Sequence, residues 1–407
     1  MALSDVAARV RPAHVPDHLV TDFDLYDVPI IDADLGKSWA ALKKRVPGST
    51  FWSDRHEGYW TVLAGRDVEQ VYTRAETFSS ADIFIPPNGS REHALIPLEL
   101  DPPESLKYRR VIQTQLMPAA LDDLAETARG EMIDLIDGLA ARQGCDFIRD
   151  FAGILPIIVF LTLMGLPRDD RDHLVPLAEM STRPAYPEQR LEGHLALRAY
   201  LRDNIAKRLA NPGADLLSRM ALAEVDGERM TEDELLRFTS TVMIGGLDTV
   251  TNLMGFTALH LARNPDKRRE LIANPELVNA AVDEYVRRFG VVGVARRVIR
   301  DVTLGDADMK AGDMVLAPTF LHSIDDTIFD RPLEVDFHRK QARNMTFGGG
   351  AHLCLGMHLA KRELRMFLTE WLARIPDFAV TSEDDLHVAT GIVSGLTTLP
   401  LRWSSAC

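Results

Sequence analysis

The sequence predicts a mainly α-helical protein with small β-sheets, and three features lead there. Apolar residues recur at three- and four-residue steps along most of the chain, two short stretches alternate aromatic and β-branched residues, and neither internal repeats nor low-complexity linkers interrupt them. Residues 1–407 therefore read as a single domain, helix-rich with small peripheral sheets. An apolar content of 46% beside 26% charged residues supplies a large core.

In chain order, residues 1–50 are punctuated by prolines and turn briefly helical around 39–46. Stretches 50–53 and 59–63 flank Asp54-Arg55-His56-Glu57-Gly58, the pattern of a hairpin outside the main core. Leu121, Leu124, Ala128, Met132, Leu135, Ile136 and Leu139 mark one face of a helix. Further helical stretches follow at 171–179, 187–209 and 232–263, the last the longest. Pro265 and Pro275 suit first-turn helix positions, and helical pattern runs on to about Phe289. Segments 296–304 and 313–317, divided by a turn at 305–308, predict a second hairpin. A helix over 355–374 puts Ala360, Leu364, Phe367, Leu368 and Trp371 on one face, and 390–403 predicts strand and turn.

Composition removes several classes of function. A net charge of −14 argues against nucleic acid or an anionic membrane surface as partner. Cys145, Cys354 and Cys407 are odd in number and far apart, unlike a secreted disulfide framework. Residues 1–19 lack the apolar centre of a signal peptide. The apolar run 151–166 is interrupted by Pro156 and falls short of the roughly twenty residues that cross a bilayer, so it predicts a buried helix. A protein of the reducing cytoplasm, not attached to a membrane, is the expectation.

The stretch with most chemistry is Phe347-Gly348-Gly349-Gly350-Ala351-His352-Leu353-Cys354-Leu355-Gly356. A cysteine in a glycine-rich turn before a helix gains backbone N–H groups and the helix dipole, which favour its thiolate and lower its pKa, as a metal ligand requires. Taken alone it is equally a packing thiol. Zinc is poorly served, because no CxxC or HxxxH completes a tetrahedral set, and no Lys-Ser/Thr follows the glycines as in a phosphate loop.

The spacing of Phe347, Gly350, His352, Cys354 and Gly356 resembles the haem-binding loop of the cytochrome P-450 superfamily. Two further features occur in the family's order. Gly245-Gly246-Leu247-Asp248-Thr249 lies mid-helix, where each glycine costs about 1 kcal/mol in propensity, and it is similar to the family's distal helix. Glu284-x-x-Arg287, by itself an ordinary helical ion pair, resembles the family's buried fold element. Its usual third, basic partner has no evident counterpart, since Glu334 stands near the expected place.

The likeness covers nearly the whole chain and is nearest to the bacterial camphor 5-monooxygenase branch, with His14-Val15-Pro16, Phe84-Ile85-Pro86, Asp101-Pro102-Pro103-Glu104 and Gly391-Ile392-Val393-Ser394-Gly395 among the matching stretches.

This resemblance implies the cytochrome P-450 fold, haem b held by Cys354 as axial thiolate, and a monooxygenase inserting one atom of dioxygen into a C–H bond. It assigns Asp248 and Thr249 as the acid and alcohol that relay protons to the reacting oxygen. Arg109, Arg296 and His352 are the implied propionate partners, beside Phe347 and Gly356 of the loop, while Val294 departs from an aspartate of the camphor branch. The implied substrate pocket comprises Phe84, His93, Leu98, Thr241, Ile244, Gly245, Val291, Val292, Ile392 and Val393. His93 stands where the camphor enzyme has a ketone-binding tyrosine, which suggests a terpenoid ketone such as an ionone-type norisoprenoid, with camphor second.

The implied electron donor is a [2Fe–2S] ferredoxin fed by an NADH-dependent flavoprotein reductase, docking on Lys107, Arg109, Arg110, Lys361, Arg362 and Arg365. Leu106 departs from an arginine there. A non-catalytic haem-thiolate sensor or a peroxide-using haem enzyme are the alternatives, and neither needs the Asp248-Thr249 pair.

Overall fold

Apolar periodicity becomes helix largely where the sequence places it. The computed structural model describes residues 11–46, 48–87, 91–340 and 343–404, so the expectations for Cys407 and for residues 1–10 lie outside the described residues. The helices that frame the site are α1 (Glu104–Gln113), α2 (Asp122–Ala140), α3 (Leu155–Met164), α4 (Arg171–Thr182), α5 (Pro187–Ala210), α6 (Glu232–Leu247), α7 (Thr249–Arg263), α8 (Val278–Arg288) and α9 (Met357–Arg374).

The start of α6 is built by a capping box. The Thr231 hydroxyl accepts from Glu234 N–H at 3.2 Å while the Glu234 carboxylate accepts from Thr231 N–H at 2.8 Å. Glu232, Asp233 and Glu234 add negative charge to its positive end.

The segment expected as one helix over 232–263 is two. Asp248 leaves helical geometry, with φ −131° and ψ −33°. Beside it the Thr249 hydroxyl donates to the Gly245 carbonyl at 3.1 Å, a side chain entering the backbone ladder at a point already weakened by two glycines. Taken together, 232–263 is long and apolar enough to cross a membrane, but 72% of its apolar window is buried within the protein. It is a core element.

The sheets correct two expectations. The first hairpin, β1 (Thr50–Ser53) and β2 (Tyr59–Val62), is not peripheral. Both strands are buried throughout and belong to a five-stranded sheet with β3 (Phe78–Ser79), β4 (Gly293–Val298) and β5 (Met314–Pro318), in the order β1-β2-β5-β4-β3. Aromatic and β-branched residues occupy both faces of β1 and β2, so neither face turns to water; Trp52 and Trp60 meet edge to face at 5.2 Å. The second hairpin is nested: β4 pairs antiparallel with β5, and the turn at 305–308 belongs to a smaller inner pair, Val302–Leu304 with Ala307–Met309.

Two apolar clusters form the core. One joins the five-stranded sheet to α4, α5 and α6; the other gathers α2, α7, α8 and α9 around Trp371. Leu355 packs against the first and Phe347 against the second, so the glycine loop lies between them.

Glu284 and Arg287 form a buried bidentate pair, both contacts 2.8 Å. The missing third partner is Arg339, whose Nε donates to Glu284 at 3.0 Å. Arg287 also donates to the carbonyls of Ser323, Pro332 and Glu334, fastening the irregular segment that precedes the glycine loop. Replacing Glu284 by Ala leaves two guanidinium groups without their anion and is expected to destabilise the fold by about 3–5 kcal/mol. Arg339→Ala should cost about 1.5–3 kcal/mol; equal denaturant midpoints for wild type and both variants would contradict this assignment.

Candidate active site

The glycine loop takes a path that side chains would obstruct. Gly348 and Gly350 have φ of +74° and +59°, and a Cβ on Gly350 would lie 2.6 Å from the Tyr72 carbonyl. Cys354 N–H donates to the Phe347 carbonyl at 2.9 Å, closing the turn. The backbone N–H groups of Gly356 and Met357 at the head of α9 favour the Cys354 thiolate.

Burial nevertheless pushes the Cys354 thiol pKa up, and the two N–H groups and Arg109 only oppose that rise. The expected lowering is thus corrected: desolvation outweighs the helix terminus, and only a cation on the sulfur would reverse the balance. Cys354 is deep in the protein yet retains accessible surface, so it faces an internal recess. Cys145 differs. It sits in a strand near Asp146 and Asp150, and burial pushes its thiol up to about 12.

Beside Cys354 stand three polar groups short of partners. Arg296 is 2% exposed, donates to the Ala295 carbonyl at 2.8 Å, lies over the Tyr72 ring at 4.8 Å, and has no carboxylate in ion-pair range among the described residues. Arg109 donates to the Leu353 carbonyl. His352 has both ring nitrogens buried without a regular hydrogen bond, the Leu100 carbonyl lying toward it. Burial, then Arg296, then Arg109, push its pKa to about 3, so all three share one electrostatic neighbourhood. Buried cations without anions are costly. A thiol facing a recess beside this cluster fits a haem whose two carboxylates would meet Arg109, Arg296 and His352.

Above the recess the adjacent glycines of α6 separate in purpose. A Cβ on Gly246 would stand 2.3 Å from the Phe160 ring, so Gly246 permits close packing on α3. A Cβ on Gly245 would meet nothing within 4 Å, and Gly245 is exposed although its helix is largely buried. Thr241, Gly245 and Thr249, four residues apart, place accessible surface on one stripe.

Asp248 points elsewhere. Its carboxylate accepts from Arg183 at 2.6 and 3.1 Å and from Asn252 at 2.8 Å. Arg183 also donates to Glu179 and to the Val393 carbonyl, the latter at 3.2 Å.

Four of the pocket residues named from the sequence are linked through backbone. Val292 and Val393 form an antiparallel bridge, flanked by Gly293 N–H to Ile392 O at 2.8 Å and Ser394 N–H to Val291 O at 2.9 Å. Ala295 N–H donates to the Ile83 carbonyl at 2.9 Å, which attaches the Phe84 segment to β4. Arg183 joins this wall to Asp248. Thr241, Ile244 and Gly245 share α6, and Leu98 packs against the first cluster. The Thr241 hydroxyl donates to the Arg237 carbonyl at 2.9 Å, so its proton is used within its own helix. His93 ends a short helical turn, with Nδ1 buried and unpartnered. Val294 is buried opposite Ala317 and supplies no charge.

This fold with this site defines a haem-thiolate oxygenase. Residues 197–385 match the family model described as Cytochrome P450. The chain is 31% identical over 405 residues to "Probable cytochrome P450 127A1" of Sinorhizobium fredii, covering 97% of each, and 31% identical to "Cytochrome P450 107B1" of Saccharopolyspora erythraea, covering 75% of this chain and 76% of that one. Crystal structures of CYP101J2 and CYP101C1 superpose with TM-scores of 0.88 and 0.87 at 38% and 37% identity, covering 97% of this chain and 100% of each of those.

The chain belongs to the cytochrome P450 family. It is accordingly a monooxygenase that binds haem b, uses dioxygen and receives electrons from a redox partner.

Sequence reasoning missed Arg183, Asn252 and Arg339. Asn252 was accessible in principle, four residues beyond Asp248 on the same helical face. The glycine pair gives a test of the local geometry. Gly246→Ala should destabilise by about 1–3 kcal/mol through overpacking on Phe160. Gly245→Ala, having room, should stabilise by up to about 1 kcal/mol through helix propensity. Urea midpoints of the two variants check this, and a reversed order would refute the division.

Proposed function

We propose that the protein hydroxylates a small terpenoid-type ketone, an ionone-like norisoprenoid before camphor, with Cys354 as the haem thiolate. The observation that carries this reading is the character of the pocket wall: paired aliphatic residues, Val291 and Val292 against Ile392 and Val393, with His93 Nδ1 as a buried polar atom lacking a partner. An apolar enclosure with one or two convergent polar groups suits a compact hydrocarbon skeleton carrying a single oxygen.

Haem b supplies the activation of dioxygen and the insertion of one oxygen atom into the C–H bond. The chain does the rest. Arg109, Arg296 and His352 orient the group through its carboxylates. The backbone N–H groups of Gly356 and Met357 favour the thiolate and would moderate its charge. Gly245 leaves room beside α6, and Thr249 Oγ1, held by the Gly245 carbonyl, presents a hydroxyl at the helix break. In this geometry every polar contact on the Asp248 carboxylate comes from a donor, so both of its oxygens are held by Arg183 and Asn252. Asp248 must leave Arg183 to collect a proton from water and return it toward Thr249.

Electrons come, in this reading, from an acidic [2Fe–2S] ferredoxin with an NADH-dependent reductase in the cytoplasm. Of the basic residues proposed for docking, Lys107 is paired with Glu104 and Asp226, Lys361 with Asp283 and Arg362 with Asp122. Arg110 and Arg365 are exposed and outside any ion pair among the described residues, so they carry the patch.

Titration of the haem-loaded protein with β-ionone and with camphor should give a low-to-high-spin shift, tighter for β-ionone; no shift with either removes the substrate assignment. With ferredoxin and reductase added, Thr249→Ala should retain ligand binding while a large share of NADH consumption is diverted to peroxide. Unchanged product per NADH would remove the relay role. Cys354→His should lose the reduced-carbonyl Soret band characteristic of a thiolate ligand.

A further inference from the structure

We infer that Thr241 is a specificity-determining residue whose hydroxyl oxygen accepts a hydrogen bond from an O–H group of the ligand, so that α6 favours a hydroxylated terpenoid and offers a ketone oxygen no donor. This rests on the reading that the hollow beside Gly245 is the substrate site.

The hollow is defined by α6 itself. Thr241, Gly245 and Thr249 follow one another at four-residue steps and keep accessible surface on a stretch that is otherwise largely buried. A Cβ on Gly245 would meet nothing within 4 Å. The same face is closed at both ends. Phe238, one turn before Thr241, is fully buried, its ring edge-on to Tyr108 of α1 with centroids 5.8 Å apart. Asn252, one turn beyond Thr249, is buried and donates to the Asp248 carboxylate at 2.8 Å. Accessible surface bounded in this way is an interior hollow, not the outside of the molecule. Tyr108 directly precedes Arg109, which donates to the Leu353 carbonyl beside Cys354, so the helix that closes the hollow also reaches the thiol turn.

The polarity of Thr241 follows from where its proton goes. Its Oγ1 donates to the Arg237 carbonyl at 2.9 Å, the bond to the preceding turn that a helical threonine makes. A hydroxyl has one proton and two acceptor sites, so only lone pairs remain for a ligand. Thr249 repeats the arrangement, its Oγ1 donating to the Gly245 carbonyl at 3.1 Å. The open place at Gly245 is thus flanked, one turn to either side, by two hydroxyls whose protons are committed to backbone. A ketone oxygen set there faces acceptors, whereas an alcohol brings its own proton. Two ligands carry such a group: an alcohol in place of the ketone, and the product, whose new hydroxyl replaces a C–H bond that made no hydrogen bond.

The test is a spectral titration of the haem-loaded wild type, Thr241→Val and Thr241→Ser with β-ionone, its side-chain alcohol β-ionol, and ring-hydroxylated β-ionone. Valine keeps the branched shape and removes the acceptor, while serine keeps the acceptor. Thr241→Val should weaken at least one of the two alcohols about tenfold and leave β-ionone within about twofold, and Thr241→Ser should hold that alcohol within about threefold of wild type. Loss confined to β-ionol supports the inference with the substrate's own oxygen under α6, and loss confined to the ring alcohol supports it with the inserted oxygen there. Equal losses for all three compounds, or none, overturn the assignment to Thr241, while a wild-type shift with β-ionone leaves the substrate reading standing. If none of the three shifts the wild-type spectrum, the substrate reading fails and takes this inference with it.

Discussion

The ion pair between Arg183 and Asp248 is the contact on which the distal half of the site depends. Both side chains are nearly buried, and further contacts support the pair: Asn252 on the carboxylate, Glu179 and the Val393 carbonyl on the guanidinium. Three pieces of the fold meet there. The break between α6 and α7 supplies Asp248, the end of α4 supplies Arg183, and the 391–394 segment supplies the carbonyl. The Ile392 N–H bond to Thr182 O at 3.1 Å and the space denied to a Cβ at Gly391, 2.6 Å from that same oxygen, hold the last two in contact. A movement that frees the carboxylate must therefore disturb the 391–394 segment, so the helix break and that segment are mechanically joined.

The proximal half is organised by an opposite imbalance. A chain with a net charge of −14 places Arg109, Arg296 and a neutral His352 around one thiol without a carboxylate among them. Elsewhere its arginines are paired freely, as Arg287 with Glu284 and Arg268 with Asp377. Unpaired burial of Arg296 is tolerable only if an anion completes the cluster, and two carboxylates on a planar ligand do so without adding a protein side chain to the recess.

Legibility followed sequence distance. The glycine loop, the Gly245–Thr249 stretch and Glu284-x-x-Arg287 are local patterns, each visible in the chain through its order and its resemblance to the family. Arg339 escaped because its contact with Glu284 spans 55 positions through an irregular segment, where no periodicity predicts which basic residue turns inward. Arg183 was not singled out, because the pattern near it offers only an i, i+4 pair with Glu179, and its bond to Asp248 across 65 positions depends on how α4 packs on α6. The five-stranded sheet was undervalued for the same reason: strands of four residues give little pattern, while their burial is imposed by β5 arriving from 250 residues away. The rise of the Cys354 pKa was missed because the loop reveals its N–H groups but not the burial that overrides them.

These differences divide the molecule into a part that local sequence determines and a part that packing determines. The glycine loop and the Glu284-x-x-Arg287 pair belong to the first, and the helix break at Asp248 belongs to the second. So does the 84–86 segment, which Arg190 holds from a helix of 24 residues by lying over the Phe84 ring and donating to the Pro86 carbonyl. The two parts meet where Arg183 bonds both the Asp248 carboxylate and the Val393 carbonyl.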